Sequence, residues 1–274
     1  MNHRLMYYII CLVMFIIGEA CAGMNASALV MHCHECHGLL VDYRGNRVGY
    51  DAATKKVYQE IRYGRYTFEN YNEDYPYYYI DVGNPDEGLY QFIIVSTYTQ
   101  PYSVGIGAYD QLGNDVRTTI FGILSRGEEQ RVEILYSPHT YDTTTIRKIM
   151  DAVILEKELK SALKHKMISG GQSGKKLRKF MSQAAKAIKQ DKSEIAVANI
   201  QQFIEILEQE KVKLHKEGIQ EPPFAMPDDF ATDEQLAKRA EWIRYMEWKD
   251  KYISPVDILI SDAKLVLENM QITK

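Results

Sequence analysis

The residues best equipped for chemistry stand together near the N-terminus, in the string Met31-His-Cys-His-Glu-Cys-His-Gly38. Cys33-x-x-Cys36-His37 meets the spacing rule for covalent c-type haem attachment, in which two thiols form thioethers and the histidine ligates iron. His32, Cys33, His34, Cys36 and His37 also offer sulfur and imidazole suited to zinc or copper, and one ion could gather three or four of them. The structural alternative is a Cys33–Cys36 disulfide or two unbridged thiols. In an extended strand, residues three apart face opposite sides, which opposes a bridge unless the chain bends before Gly38. Gly38 leads into the strand-like run Leu39-Leu-Val-Asp-Tyr43, whereas haem attachment ordinarily sits among helices and a thioredoxin-like motif opens one. The string therefore reads first as structural, with haem c or a zinc or copper site as the competing reading.

A second candidate is electrostatic. Residues 164–192 carry nine Lys and Arg against a single acid, Asp191, with Lys175, Lys176, Arg178 and Lys179 packed most densely. Such a run is ordinarily a solvated helix face. Its functional reading is a patch attracting acidic polysaccharide, cell-surface polymer or anionic lipid. Tyr77 and Tyr79 lie in a tyrosine-rich stretch that could cover sheet edges or present aromatic contact to a sugar or peptide. These six side chains are the expected ligand-binding set.

Catalytic constellations are missing. No serine elbow, HExxH pair or phosphate-cradling glycine loop occurs. Asp110, Asn114 and Asp115 fall short of a calcium loop's oxygen spacing and read as a satisfied turn. The expectation is a non-catalytic protein.

The elements that must position these groups change character along the chain. Residues 31–145 hold 9 Lys/Arg and 16 Asp/Glu, a net of −7, while residues 146–274 hold 23 and 20, a net of +3. Sixteen of the 20 tyrosines fall between Tyr43 and Tyr141. Val132, Ile134 and Tyr136 recur at the period of a half-buried strand, and further short runs are separated by turns at residues 44–47, 110–114 and 125–128. Beyond them the apolar residues recur at helical spacing: Ile146, Ile149, Met150 and Val153; Leu177, Met181 and Ala184; Ala196, Ile200, Phe203 and Leu207. Residues 143–145 suit a helix cap, and Ser254-Pro255 suits another start. The expected fold class is α+β multidomain, an antiparallel β-sandwich at 23–142 followed by an α-helical bundle at 143–274, with an insertion at about 218–252.

The first 22 residues read as an address. Arg4, an apolar run at 6–17, and small residues at Ala20 and Ala22 make a secretory signal peptide. That run is shorter than the roughly 20 residues a bilayer span needs, so the mature chain is expected to have no transmembrane segment. A competing reading makes Cys21 the lipid-bearing first residue of a lipoprotein. Either way the protein is expected to be exported, periplasmic or extracellular. With a formal charge of −4 it carries no global basic field, and no specific nucleic-acid partner is expected.

Ordered elements from Asp42-Tyr-Arg-Gly45 and Val48-Gly-Tyr-Asp-Ala-Ala-Thr54 through Gly88-Leu-Tyr90, Tyr109-Asp-Gln-Leu-Gly113 and Phe121-Gly-Ile-Leu-Ser-Arg-Gly-Glu128 resemble a bacterial secreted Ig-like or pre-peptidase-type β-sandwich module. Leu177, Ala184-Ala-Lys-Ala187, Ala196, Ile200, Phe203-Ile204 and the segment Ile253-Ser-Pro-Val-Asp-Ile-Leu-Ile260 are similar to a FIMAH-type helical module. The resemblance implies an accessory, adhesive part of a secreted bacterial protein, with carbohydrate or cell-surface polymer as partner and no catalytic residues.

Overall fold

The structure, a computed structural model, describes residues 27–34, 36–69, 77–96, 100–168, 170–223, 226, 233–249 and 253–272. The expected signal peptide and Cys21 lie outside them. The chain divides into two compact units between Ile149 and Met150.

The first unit is made of strands β1 (Ala28–His34), β2 (Cys36–Val41), β3 (Arg47–Asp51), β4 (Lys56–Gln59), β5 (Gly64–Glu69), β6 (Tyr77–Gly83), β7 (Gly88–Ser96), β8 (Gln100–Tyr109), β9 (Asp115–Leu124), β10 (Glu129–Tyr136) and β11 (Thr145–Lys148). They form two antiparallel sheets, one ordered β5-β6-β1-β8-β9 and the other β11-β10-β7-β2-β3-β4. Strand alternation supplies the interior. Gln130, Val132, Ile134 and Tyr136 of β10 are buried in turn, while exposed or half-buried residues separate them. Leu29, Met31 and Cys33 of β1 join Cys36 and Leu40 of β2, Phe92 and Ile94 of β7, and Val104 and Ile106 of β8 in one buried cluster fed by both sheets. Pro101 enters β8 beyond Ser103, where pairing with β1 stops, so its missing N–H falls where β8 has β9 as its one described neighbour.

Two hairpins of this unit, β2–β3 and β8–β9, turn on the same five-residue device. In Asp42-Tyr-Arg-Gly-Asn46, Asp42 Oδ1 accepts from the backbone N–H of Arg44 (2.9 Å) and Asn46 (2.8 Å), and Oδ2 accepts from the Asn46 side chain (2.8 Å). In Asp110-Gln-Leu-Gly-Asn114 the matching bonds are 2.8 Å from Leu112 N, 2.8 Å from Asn114 N and 2.9 Å from Asn114 Nδ2. Gly45 and Gly113 take φ +87° and +83°, which only glycine adopts without cost. Burial alone would raise the Asp110 carboxyl, but the bonds from Asn114 and Leu112 outweigh it and hold the group below the usual carboxylate range. Asp110 is thus fully engaged in a turn. Asp110→Ala is expected to cost about 2 kcal/mol, since it leaves these donors without an acceptor, and urea unfolding would show it.

The sheets extend further than periodicity suggested. The helix expected from Ile146 begins only at Ala152, because Thr145–Lys148 pairs with β10 as an edge strand. Its cap is Asp151, whose Oδ1 accepts from Val153 N (2.7 Å) and Ile154 N (2.8 Å), and not a threonine of 143–145. The division after Ile149 follows from that pairing.

The second unit contains five helices: α1 (Ala152–Lys164), α2 (Gln172–Lys189), α3 (Ser193–Glu217), α4 (Asp233–Trp248) and α5 (Ser254–Ile272). Leu155, Leu159, Leu177, Met181, Ile200, Phe203, Leu207, Leu259 and Val266 supply its interior. α2 packs against α1 and α3, and α5 packs against α1 and α3. The Asn269 amide on α5 donates to the Met150 carbonyl at 2.9 Å, tying the last helix to the residues ahead of the first. Among the described residues, no helix is long and apolar enough to cross a membrane.

Candidate functional site

α2 has 18 residues and no acid, yet it carries Lys175, Lys176, Arg178, Lys179, Lys186 and Lys189, all exposed. Its buried residues are Gly174, Leu177, Met181, Ala184 and Ala187. At about 100° per residue, Arg178, Lys189, Lys175, Lys186 and Lys179 fall within an arc of roughly 100° on the side away from that buried face, with Lys176 flanking it. The stripe runs about 21 Å along the helix from Lys175 to Lys189. None of these six bases forms an ion pair with a described residue, whereas Lys160, Lys211, Lys213 and Lys264 elsewhere in the unit do.

Folding accounts for only part of this stripe. Lys186 and Lys189 lie in the last turn, where cations complement the helix dipole. Lys175, Lys176, Arg178 and Lys179 lie near the opposite end, which the dipole makes unfavourable for cations. No acid occupies the first turn and Gly171 supplies no side-chain cap. The pairs Lys175/Arg178 and Lys175/Lys179 are like-charge neighbours, each costing about 0.2–0.5 kcal/mol in an isolated helix. The N-terminal bases therefore oppose the stability of the helix that bears them.

Tyr77 and Tyr79 complete the ligand-contact set expected from the sequence. The structure sets the two tyrosines on β6 of the first unit and the bases on α2 of the second. The Tyr77 side chain lies outside the described positions; the Tyr79 ring meets His32 edge-on, with centroids 4.8 Å apart. Other tyrosines pack: Tyr90 and Tyr136 are almost fully buried and stand edge to face, their hydroxyls donating to the carbonyls of Asp86 and Tyr109.

The cysteine-histidine string sits where the chain leaves one sheet and enters the other. His32 and Cys33 belong to β1, Cys36 and His37 to β2, and the sheet changes between them. That change defeats simple alternation, so Cys33 and Cys36 both point into the shared interior, fully buried and not joined in a disulfide. Gly38 keeps the corner tight, since an added Cβ would stand 2.5 Å from the Phe92 ring and 2.9 Å from Cys33 Sγ. The His37 ring lies between Tyr50 (4.3 Å) and Tyr78 (4.2 Å), and its Nδ1 is 3.2 Å from the Tyr66 hydroxyl. Burial pulls both His32 and His37 down to about 4, so both imidazoles are neutral at pH 7. Burial likewise pushes the Tyr66 phenol far up, which keeps it a hydrogen-bonding O–H.

The described side chains of this corner, as arranged, do not fit covalent haem attachment. Thioether bonds would require both thiols to leave the interior, and the His37 ring is enclosed by tyrosines. Among the described residues, no three His, Cys, Asp or Glu side chains converge as metal ligands. The His34 side chain lies outside the described positions.

One feature left no mark in the sequence pattern. A cavity of about 560 Å³ opens in the helical unit among Leu163, Met167, Leu177, Leu207, Leu214 and Val256. Lys166 and Glu210 also line it, and the Ser173 hydroxyl donates to the Glu210 carboxylate. Its walls come from the ends of several helices, which no single amphipathic stripe announces.

No family model, curated protein or solved structure matches this chain.

Proposed function

We propose that the chain is an exported, non-catalytic binding protein whose helical unit holds an acidic polysaccharide, or another anionic cell-surface polymer, along α2. The observation that carries this reading is the row of exposed bases on α2, without a counter-ion among the described residues and partly adverse to the helix's own stability. Charge set out in this way attracts a polyanion without specifying a reaction. The two antiparallel sheets followed by helices also accord with an Ig-like sandwich joined to a FIMAH-like module, and thus with an adhesive role at the bacterial surface.

The test compares retention on an immobilised acidic polysaccharide with retention on a neutral one. Wild-type protein is expected to bind the acidic matrix and elute with salt, since exposed charge is screened within about 10 Å at 0.1 M. Lys175→Gln/Lys176→Gln/Arg178→Gln/Lys179→Gln is expected to bind at least about tenfold more weakly, a loss of about 1.4 kcal/mol. Equal retention of both proteins would remove the proposal.

A further inference from the structure

The bases on α2 are not evenly spread. Lys175, Arg178 and Lys179 form one group and Lys186 and Lys189 another, with about 10 Å of helix between Lys179 and Lys186. Ser182 falls within the same arc in that gap and Gln183 flanks it; both are exposed and uncharged. Phe180, the one aromatic residue of α2, is half-buried and lies outside the arc of bases, so the arc itself lacks the stacking platform with which proteins hold single-stranded nucleic acid. Hydroxyl and amide groups are instead suited to exchanging hydrogen bonds with a hydroxylated chain.

Resting on the polyanion reading above, we infer that the ligand is an acidic polysaccharide segment that bridges both groups of bases. Its acidic groups meet Lys175, Arg178 and Lys179 at one end and Lys186 and Lys189 at the other, while sugar hydroxyls lie over Ser182 and Gln183. Both ends must be engaged for full affinity, because linking two contacts on one chain makes the second encounter intramolecular. The N-terminal group then has a role that offsets its adverse place in the helix.

The experiment measures binding of uronic-acid oligosaccharides of stepped length to the full chain by fluorescence anisotropy, with single-stranded DNA of matched charge as competitor. Oligomers long enough to span about 21 Å are expected to bind at least tenfold more tightly than those spanning half of it. Lys175→Gln/Arg178→Gln/Lys179→Gln and Lys186→Gln/Lys189→Gln should each reduce the long oligomer to the short one's affinity. Ser182→Ala should weaken the oligosaccharide and leave DNA unaffected. Binding without a length step, or with only one group of bases contributing, would overturn the bridging geometry while leaving the polyanion reading intact. DNA competing as well as the matched oligosaccharide would overturn the sugar assignment, and no binding of any anionic chain would overturn the underlying reading as well. Thermal melts, expected to match wild type or rise for the N-terminal variant and to fall by no more than a few degrees for Lys186→Gln/Lys189→Gln, separate lost binding from lost folding.

Discussion

Gly49→Ala is expected to destabilise the sheet unit by at least about 3 kcal/mol, seen as a lower urea midpoint with little change in slope. Gly49 pairs with Leu39 across β2–β3 and holds φ at +118°. An added Cβ would fall inside contact distance of the Gly38 carbonyl oxygen, a backbone atom that cannot turn aside as a side chain can. It would also stand 2.9 Å from Ile80 on the other sheet. Relief therefore requires β2 to move, and β2 carries Cys36 and Leu40 of the interior. Gly45→Ala is the control. Its φ of +87° is also left-handed, but nothing lies within 4 Å of the new methyl, so it should cost only about 1 kcal/mol. Equal losses for the two substitutions would mean that the corner is looser than the packing of β2 requires.

Lowering the pH from 6.5 to about 4.5 is expected to weaken the sheet unit progressively. Burial depresses His32 and His37 to about 4, while their unfolded values stand near 6.5. Between those values the unfolded chain binds more protons than the folded one, so stability rises with pH there and falls as pH drops. The contribution is complete above pH 6.5, and below about 4 both states are protonated. Carrying the pair through the full window should remove about 3–4 kcal/mol, allowing for the greater solvent screening at His37. Carboxylates held low in the folded chain, such as Glu60 and Asp110, begin to contribute below about pH 5, so the upper part of the window, from about 5 to 6.5, reports mainly on the imidazoles. Urea midpoints across that range would show the slope, and His32→Gln with His37→Gln should flatten it. A wild-type midpoint independent of pH would mean that neither ring is desolvated in the folded unit.

Much of this fold was legible in residues with local instructions. Asp-x-x-Gly-Asn states its turn twice, the alternation of Val132, Ile134 and Tyr136 states a strand, and the Leu177–Met181–Ala184 spacing states a helix face. Non-local pairing was not legible. Ile146, Ile149, Met150 and Val153 have helical spacing, yet Thr145–Lys148 becomes a strand because β10 offers it a partner. β1 was missed for a related reason. It lies in mid-sheet between β6 and β8, and its seven residues carry the same cysteine and histidine letters that invite a chemical reading.

The candidate sites divided along the same line. Exposure of Lys175, Lys176, Arg178 and Lys179 follows from helical period alone and was readable in advance. The position of Cys33 and Cys36 was not, because period-two reasoning assumes one continuous strand and the chain changes sheets between them.

The most direct measurement is the salt dependence of acidic-polysaccharide affinity for the wild-type chain and for the variant with glutamine at positions 175, 176, 178 and 179, each paired with a thermal melt. The account predicts a steep decline of log affinity with log salt for wild type, a slope smaller by roughly one for each contact removed in the variant, and a variant melting temperature equal to or above wild type. Superimposable salt curves, or a variant that loses binding only because it unfolds, would contradict it.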